Sequence, residues 1–207
     1  SVVYVVNPQA PVGEELQGEI DLSPLADDDG IPEISHFAEV NGAVWVAVQR
    51  LQRANGWAPA GPSYLARLDP VALAVTDTLE LRSTNPVGPL TPVPGTADLL
   101  VGTSGDWDGD QAGLERIDTV AGTSSVAVTA TDLGGVTTAF TLDASHCGFA
   151  VITTPGDYDT GLVRFCLDGT VTPCIALGEM TISDVVQVDD GRLHHVADGH
   201  LAQSDAR

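Results

Sequence analysis

The residues best suited to chemistry in this 207-residue chain are three aspartates in one short loop, Asp106, Asp108 and Asp110. A D-x-D-x-D run brings three carboxylates within reach of one centre when the loop curls, with Gly109 easing the turn. Hard divalent cations such as Ca2+ take such oxygen ligands. The run matches the first half of a calcium loop and not a whole EF-hand, because the twelfth position carries Ile117 and the nearest glutamate, Glu115, stands at the tenth. A sister loop offers a weaker pair, Asp157 and Asp159, for the same ion. Ca2+ is the one cofactor these residues suggest, and the competing reading is that they are solvated loop acids.

A second constellation is aromatic. Trp57, Trp107 and Tyr158 stand at comparable places in three loops that share a Gly-rich, polar composition. If those loops emerge on one face, the rings would line a surface suited to sugars or peptides, combining stacking area with a polar handle. The alternative is that each ring caps its own loop onto a neighbour. Three cysteines complete the candidates. Cys166 and Cys174 flank a turn containing Asp168-Gly169 and are the expected disulfide if the hairpin loop is long enough. A tight two-residue turn would leave them out of register, and Cys147 competes for either one. No CxxC spacing supports zinc. Ser104 lacks the G-x-S-x-G elbow, and no phosphate-binding or dinucleotide fingerprint occurs, so no catalytic constellation is visible.

The elements that must position these loops recur along the chain. The apolar residues at the centre of each post-loop strand, Val3, Leu65, Leu114, Leu162 and Leu201, lie 62, 49, 48 and 39 residues apart. That range brackets the roughly 40–50 residues of a four-stranded propeller blade. Within each interval the order is short strand, Gly/Asp/Asn turn, apolar strand, long polar loop, strand ending near Asp, and outer strand. The runs are rich in Val, Leu and Thr and are broken by Gly, Pro and Asp, and no amphipathic helix interrupts them.

The fold expected is therefore all-β, a single β-propeller domain over 1–207 with about four blade equivalents of four antiparallel strands. Residues 31–84, 85–132 and 133–180 form whole blades. Residues 1–30 supply outer strands and 181–207 inner strands of a further blade, shared between the termini or truncated. Sharing would remove exposed sheet edges.

The strands Val3-Tyr4-Val5-Val6-Asn7-Pro8, Tyr64-Leu65-Ala66-Arg67-Leu68-Asp69-Pro70 and Leu114-Glu115-Arg116-Ile117-Asp118 resemble the YVTN-type repeat of bacterial β-propeller proteins. The resemblance implies a secreted, periplasmic or cell-surface, lipoprotein-like setting. It carries no active site onto particular residues.

Charge narrows the partners. Eight arginines and no lysine stand against 29 acids, a net charge of −21, which repels nucleic acid and anionic membranes. No apolar run is long enough to span a bilayer as a helix, so direct insertion is not expected. A protein or carbohydrate ligand, or self-association through the terminal strands, is the partner class that remains. The reading that follows is a non-catalytic extracytoplasmic binding or assembly module. Its alternatives are a calcium-dependent, lactonase-like propeller hydrolase and a structural subunit of a surface layer or filament.

Overall fold

The computed structural model describes residues 2–106, 111–154, 156–179, 181–187 and 192–205. Its regular structure is almost entirely antiparallel strand. A two-stranded pair opens the chain, β1 (Val2–Val6) with β2 (Leu16–Asp21). Three four-stranded sheets follow. The first runs β3 (Ile34–Val40), β4 (Ala43–Val48), β7 (Tyr64–Asp69), β8 (Ala74–Glu80), with a small flap of β5 (Leu51–Gln52) and β6 (Ala58–Pro59) in its long loop. The second is β9 (Pro86–Pro92), β10 (Asp98–Thr103), β11 (Gly113–Asp118), β12 (Thr123–Thr129). The third is β13 (Val136–Phe140), β14 (Cys147–Thr153), β15 (Thr160–Cys166), β16 (Val171–Ile175). A three-stranded sheet ends the chain, β17 (Ile182–Gln187), β18 (Arg192–Ala197), β19 (His200–Asp205). The only α-helix among the described residues is one turn, Ala130–Leu133, N-capped by the Thr129 side chain on Asp132 N–H and ended by Gly134 in the left-handed conformation.

Local chemistry explains the strand breaks. Asn41-Gly42 and Asp198-Gly199 both hold positive φ at two successive residues, and Val40–Ala43 and Ala197–His200 close directly across them. These are the tight hairpins that Asn-Gly and Asp-Gly favour. The acid or amide after each third strand has a physical role as well. Asp69 accepts the N–H of Val71 (2.8 Å) and Ala72 (2.9 Å), and Asp118 those of Val120 and Ala121. Asn7 and Asp168 do the same for Gln9 and Thr170. The recurring Asx residue is thus a turn device. Its N–H bonds, that from Ala72 foremost, hold the Asp69 carboxyl below the usual carboxylate range.

The sheets stack face to face in chain order, which is why their strands read as unbroken apolar runs. In β10, Leu99 and Val101 enter a core with Trp45, Leu65 and Leu79 of the preceding sheet. Leu100 points the other way into a core with Phe140, Ala150 and Phe165 of the following one. In β14, Ala150 and Ile152 pack backward, while Phe149 and Val151 pack forward against Val185 and Leu193. Val46 and Val48 meet Ile20 and Leu22 at the chain's beginning. The period-2 alternation of a strand therefore feeds two cores, one on each side. The first strands β3, β9, β13 and β17 lie successively beside one another, so the sheets fan out from them in a propeller-like arrangement.

The terminal sheets stay separate. β1 pairs with β2 and β19 with β18, and no ladder joins the two ends, so the terminal sharing suggested by the sequence is not formed among the described residues. Each end sheet is held instead by its own apolar face against its chain neighbour.

One buried acid clasps two sheets. Glu115 is fully buried, and its carboxylate accepts the N–H of Arg82 (2.6 Å) and Ser83 (2.8 Å) in the connection between the first and second four-stranded sheets. Removing that acceptor strands two donors, each worth about 1–3 kcal/mol when left unsatisfied. Glu115→Ala is expected to lower the urea midpoint by the equivalent of about 2 kcal/mol or more with an unchanged m-value. An unchanged midpoint would contradict the clasp.

Candidate functional site

The connections between second and third strands of the successive four-stranded sheets span 49–63, 104–112 and 154–159, and described residues of all three, Trp57, Ser104 and Tyr158 among them, meet at one cleft. Their bases are tied by a buried polar network. Ser63 Oγ donates to Gln49 O (2.8 Å), Asn85 N donates to Ser63 Oγ (2.9 Å), Gln49 Nε2 donates to Asn85 Oδ1 (2.7 Å), and Ser104 N donates to Asn85 O (3.0 Å). Ser63, Asn85 and Ser104 are buried, so these bonds operate away from water and fix the spacing of the first two loops. The neck of the second loop is clamped by Thr103 Oγ1, which donates to Gly113 O and accepts from Gly113 N, both at 3.1 Å. A side chain is excluded at Gly113, where φ is +149° and a Cβ would lie 2.3 Å from Val128 O.

Two of the three aromatics meet in the resulting cleft. A cavity of about 560 Å3 is lined by Trp57, Val87, Val136, Thr138, Thr153 and Tyr158, with Ser104 and Thr154 among its hydroxyl groups. Its volume lies in the range of small-molecule sites, about 300–1,000 Å3. Trp57 comes from the flap loop of the first sheet and Tyr158 from the loop of the third, and both sit at positive φ, 66° and 59°. Trp57 is 47% exposed and Tyr158 79%, so both side chains reach solvent at the cleft. The turn around Tyr158 is braced by Tyr158 N on Thr154 O (3.1 Å) and Thr154 N on Asp159 O (3.0 Å).

Trp57 is held from one side. The Arg53 guanidinium carbon lies 5.1 Å from the Trp57 ring centroid, in cation–π range, and Arg53 Nε donates to Glu33 Oε1 at 3.1 Å. Glu33 Oε2 in turn accepts Leu51 N–H (2.8 Å), fastening the flap. Trp57 and Tyr158 stand out in the sequence; Arg53, four residues before the tryptophan, does not, nor do the hydroxyls of Ser104, Thr138, Thr153 and Thr154, which come together from two loops and two strands.

The acids are distributed differently. Asp106 lines a separate cleft of about 470 Å3 with Glu80, Arg82 and Gln111. Asp157 is exposed, and the Asp159 carboxylate lies against Gly178, its oxygen 3.1 Å from where a Cβ there would stand. Trp107, Asp108 and Asp110 lie outside the described residues. Among the described residues no three His, Cys, Asp or Glu gather at metal-binding distance.

The disulfide differs from the expected one. Cys147 bonds Cys166, and Cys174 is free and exposed. The ladder explains the correction: Cys147 stands directly opposite Cys166 in the β14–β15 register, with Cα atoms 4.0 Å apart. Across the Asp168-Gly169 turn, by contrast, Phe165 pairs with Val171 and Val163 with Pro173, which leaves Cys174 at a bulge beside Leu162 and far along the strand from Cys166. Cys166–Cys174 is therefore not formed.

No family model matches the chain, and no curated protein does. Solved structures do. Hydrazine synthase from Kuenenia stuttgartiensis superposes with a TM-score of 0.59 at 15% identity over 87% of this chain and 46% of its own. An extracellular domain assigned to a hybrid two-component system of B. thetaiotaomicron gives 0.54 at 12% identity, over 84% of this chain and 21% of its own. A calcium-binding regucalcin from Agrobacterium tumefaciens gives 0.44 at 18%, over 75% and 49%. The chain thus spans about half the length of the hydrazine synthase chain it matches, and at these identities the likeness shows the fold alone: all-β and β-propeller-like.

A thiol titration checks the pairing. The native protein is expected to react with a thiol reagent at one cysteine per chain, Cys174, and at three after unfolding and reduction. Cys174→Ser is expected to leave no reactive thiol in the native state. A native count of three would contradict the Cys147–Cys166 bridge.

Proposed function

We infer that this chain is an extracytoplasmic binding module whose site is the cleft between Trp57 and Tyr158, and that its ligand is a neutral carbohydrate. The observation that carries the reading is the character of the lining: in a chain of net charge −21, the cleft residues include two rings, aliphatic walls and hydroxyls but no charged side chain. Such a surface suits a pyranose, whose apolar C–H face stacks on an aromatic ring while its hydroxyls bond to Ser and Thr. Arg53 and Glu33 hold Trp57 before ligand arrives, which lowers the ordering cost of binding.

The extracytoplasmic setting is supported by the Cys147–Cys166 bridge, since disulfides persist in oxidising compartments, and by the likeness to an extracellular domain. No described helix is long and apolar enough to cross a membrane. The Asx-capped third strands β1, β7 and β11 support descent from the YVTN-type repeat.

A panel of neutral oligosaccharides, titrated by calorimetry, tests the reading. A member of the panel is expected to bind in both added Ca2+ and chelator. Trp57→Ala and Tyr158→Ala are each expected to weaken it about tenfold, the loss of a ring stacking contact of order 1 kcal/mol or more. Binding that survives both substitutions, or that needs Ca2+, would overturn the assignment, and preference for an apolar peptide would replace the ligand class.

A further inference from the structure

Four aliphatic hydroxyls line the cleft between Trp57 and Tyr158, and they are not equivalent. Two are spent on the protein's own backbone: Ser104 Oγ donates to Asn85 O (3.5 Å) and Thr154 Oγ1 to Asp159 O (3.4 Å). The other two, on Thr138 and Thr153, have no hydrogen-bond partner among the described residues. Thr153 is half-buried and sits in the ladder opposite Val136, whereas Thr138 is placed by an irregularity in the sheet.

Thr137 pairs with Ile152 and Ala139 with Val151, so two steps along β13 match one along β14, and Thr138 is the extra residue of a β-bulge. A bulge leaves that residue without a ladder partner and re-aims its side chain. Burial shows the result: Thr137 and Ala139 are buried, and Thr138 between them is exposed at the cleft. The preceding first strand, β9, is bulged as well. Leu90 pairs with Val101 and Pro86 with Thr103, which leaves Val87, another wall residue, in the irregular interval. Of the two bulges that border the cleft, one presents an aliphatic side chain and the other a hydroxyl.

We propose that Thr138 is the specificity-determining residue of the cleft, bonding one hydroxyl of the stacked sugar and so selecting the configuration at that carbon; this rests on the ligand being a carbohydrate. The residue type suits the task. Threonine is β-branched and stiff at χ1, so its hydroxyl, mounted on a strand, keeps few directions. It is donor and acceptor at once, as a sugar hydroxyl is. An exposed hydroxyl regains water when its partner is missing, so the discrimination is that of one net hydrogen bond, about tenfold or less.

NMR titration with the methyl glycosides of glucose, galactose and mannose, and with their monodeoxy analogues, tests this. The wild type is expected to bind a parent glycoside and to lose about three- to tenfold on one of its deoxy analogues. Thr138→Val keeps the shape of the side chain and removes the hydroxyl. It is expected to lose about as much on the parent and nothing further on that analogue, with an unchanged melting temperature. Thr138→Ser is expected to restore the wild-type pattern. A parent that binds Thr138→Val as tightly as the wild type, or a deoxy analogue whose loss persists in full in that variant, would overturn the proposal and leave the carbohydrate assignment standing. A wild type that binds none of these glycosides would overturn both.

Discussion

The structure depends on sheet faces that are apolar on both sides. A strand such as Leu99-Leu100-Val101 contributes alternate side chains to two different cores, so the inner strands of the middle sheets are buried on both faces. Burial at about 25 cal/mol per Å2 then acts twice on each inner strand, and a single helical turn adds Leu133 to one of the cores. The consequence reaches the site directly. Because neighbouring sheets are locked face to face at a fixed distance, the loops leaving the same end of each must meet.

The polar connections refine what burial sets up. Glu115 fastens the second four-stranded sheet to the connection that links it to the first, and the Ser63–Asn85–Gln49–Ser104 network fixes where two of the three loops depart. Buried polar groups of this kind are costly unless fully paired, so they tolerate few alternative geometries. The cleft walls therefore rest on a rigid base, while the rings at its mouth stay accessible. Trp57, stacked beneath Arg53, is the best-held of them.

Much of the fold was legible because its signals are local. The second and third strands are apolar runs bounded by Asn-Gly, Asp-Gly and Asx turns, and their positions follow from those residues alone. The first strands were harder. β9 carries Pro86, Pro89 and Pro92, and it is an edge strand with only β10 as partner, the place in a sheet where proline is tolerated. The cysteine pairing turned on register across β14–β15, a nonlocal fact that spacing cannot supply. Trp57 and Tyr158 were visible through their recurrence in equivalent loops, whereas Thr138, Thr153 and Ser104 join them only through tertiary convergence, and nothing in their sequence neighbourhoods marks them.

The central claim, that the converging loops build one ligand cleft on a rigid base, is tested most directly by NMR of protein labelled at valine methyl and tryptophan indole groups during titration with neutral oligosaccharides. The account predicts shifts concentrated at Val87, Val136 and the Trp57 indole, with Trp45 and the interior valines Val101 and Val151 unmoved. Shifts spread across the interior, or confined to loops away from Trp57 and Tyr158, would contradict it.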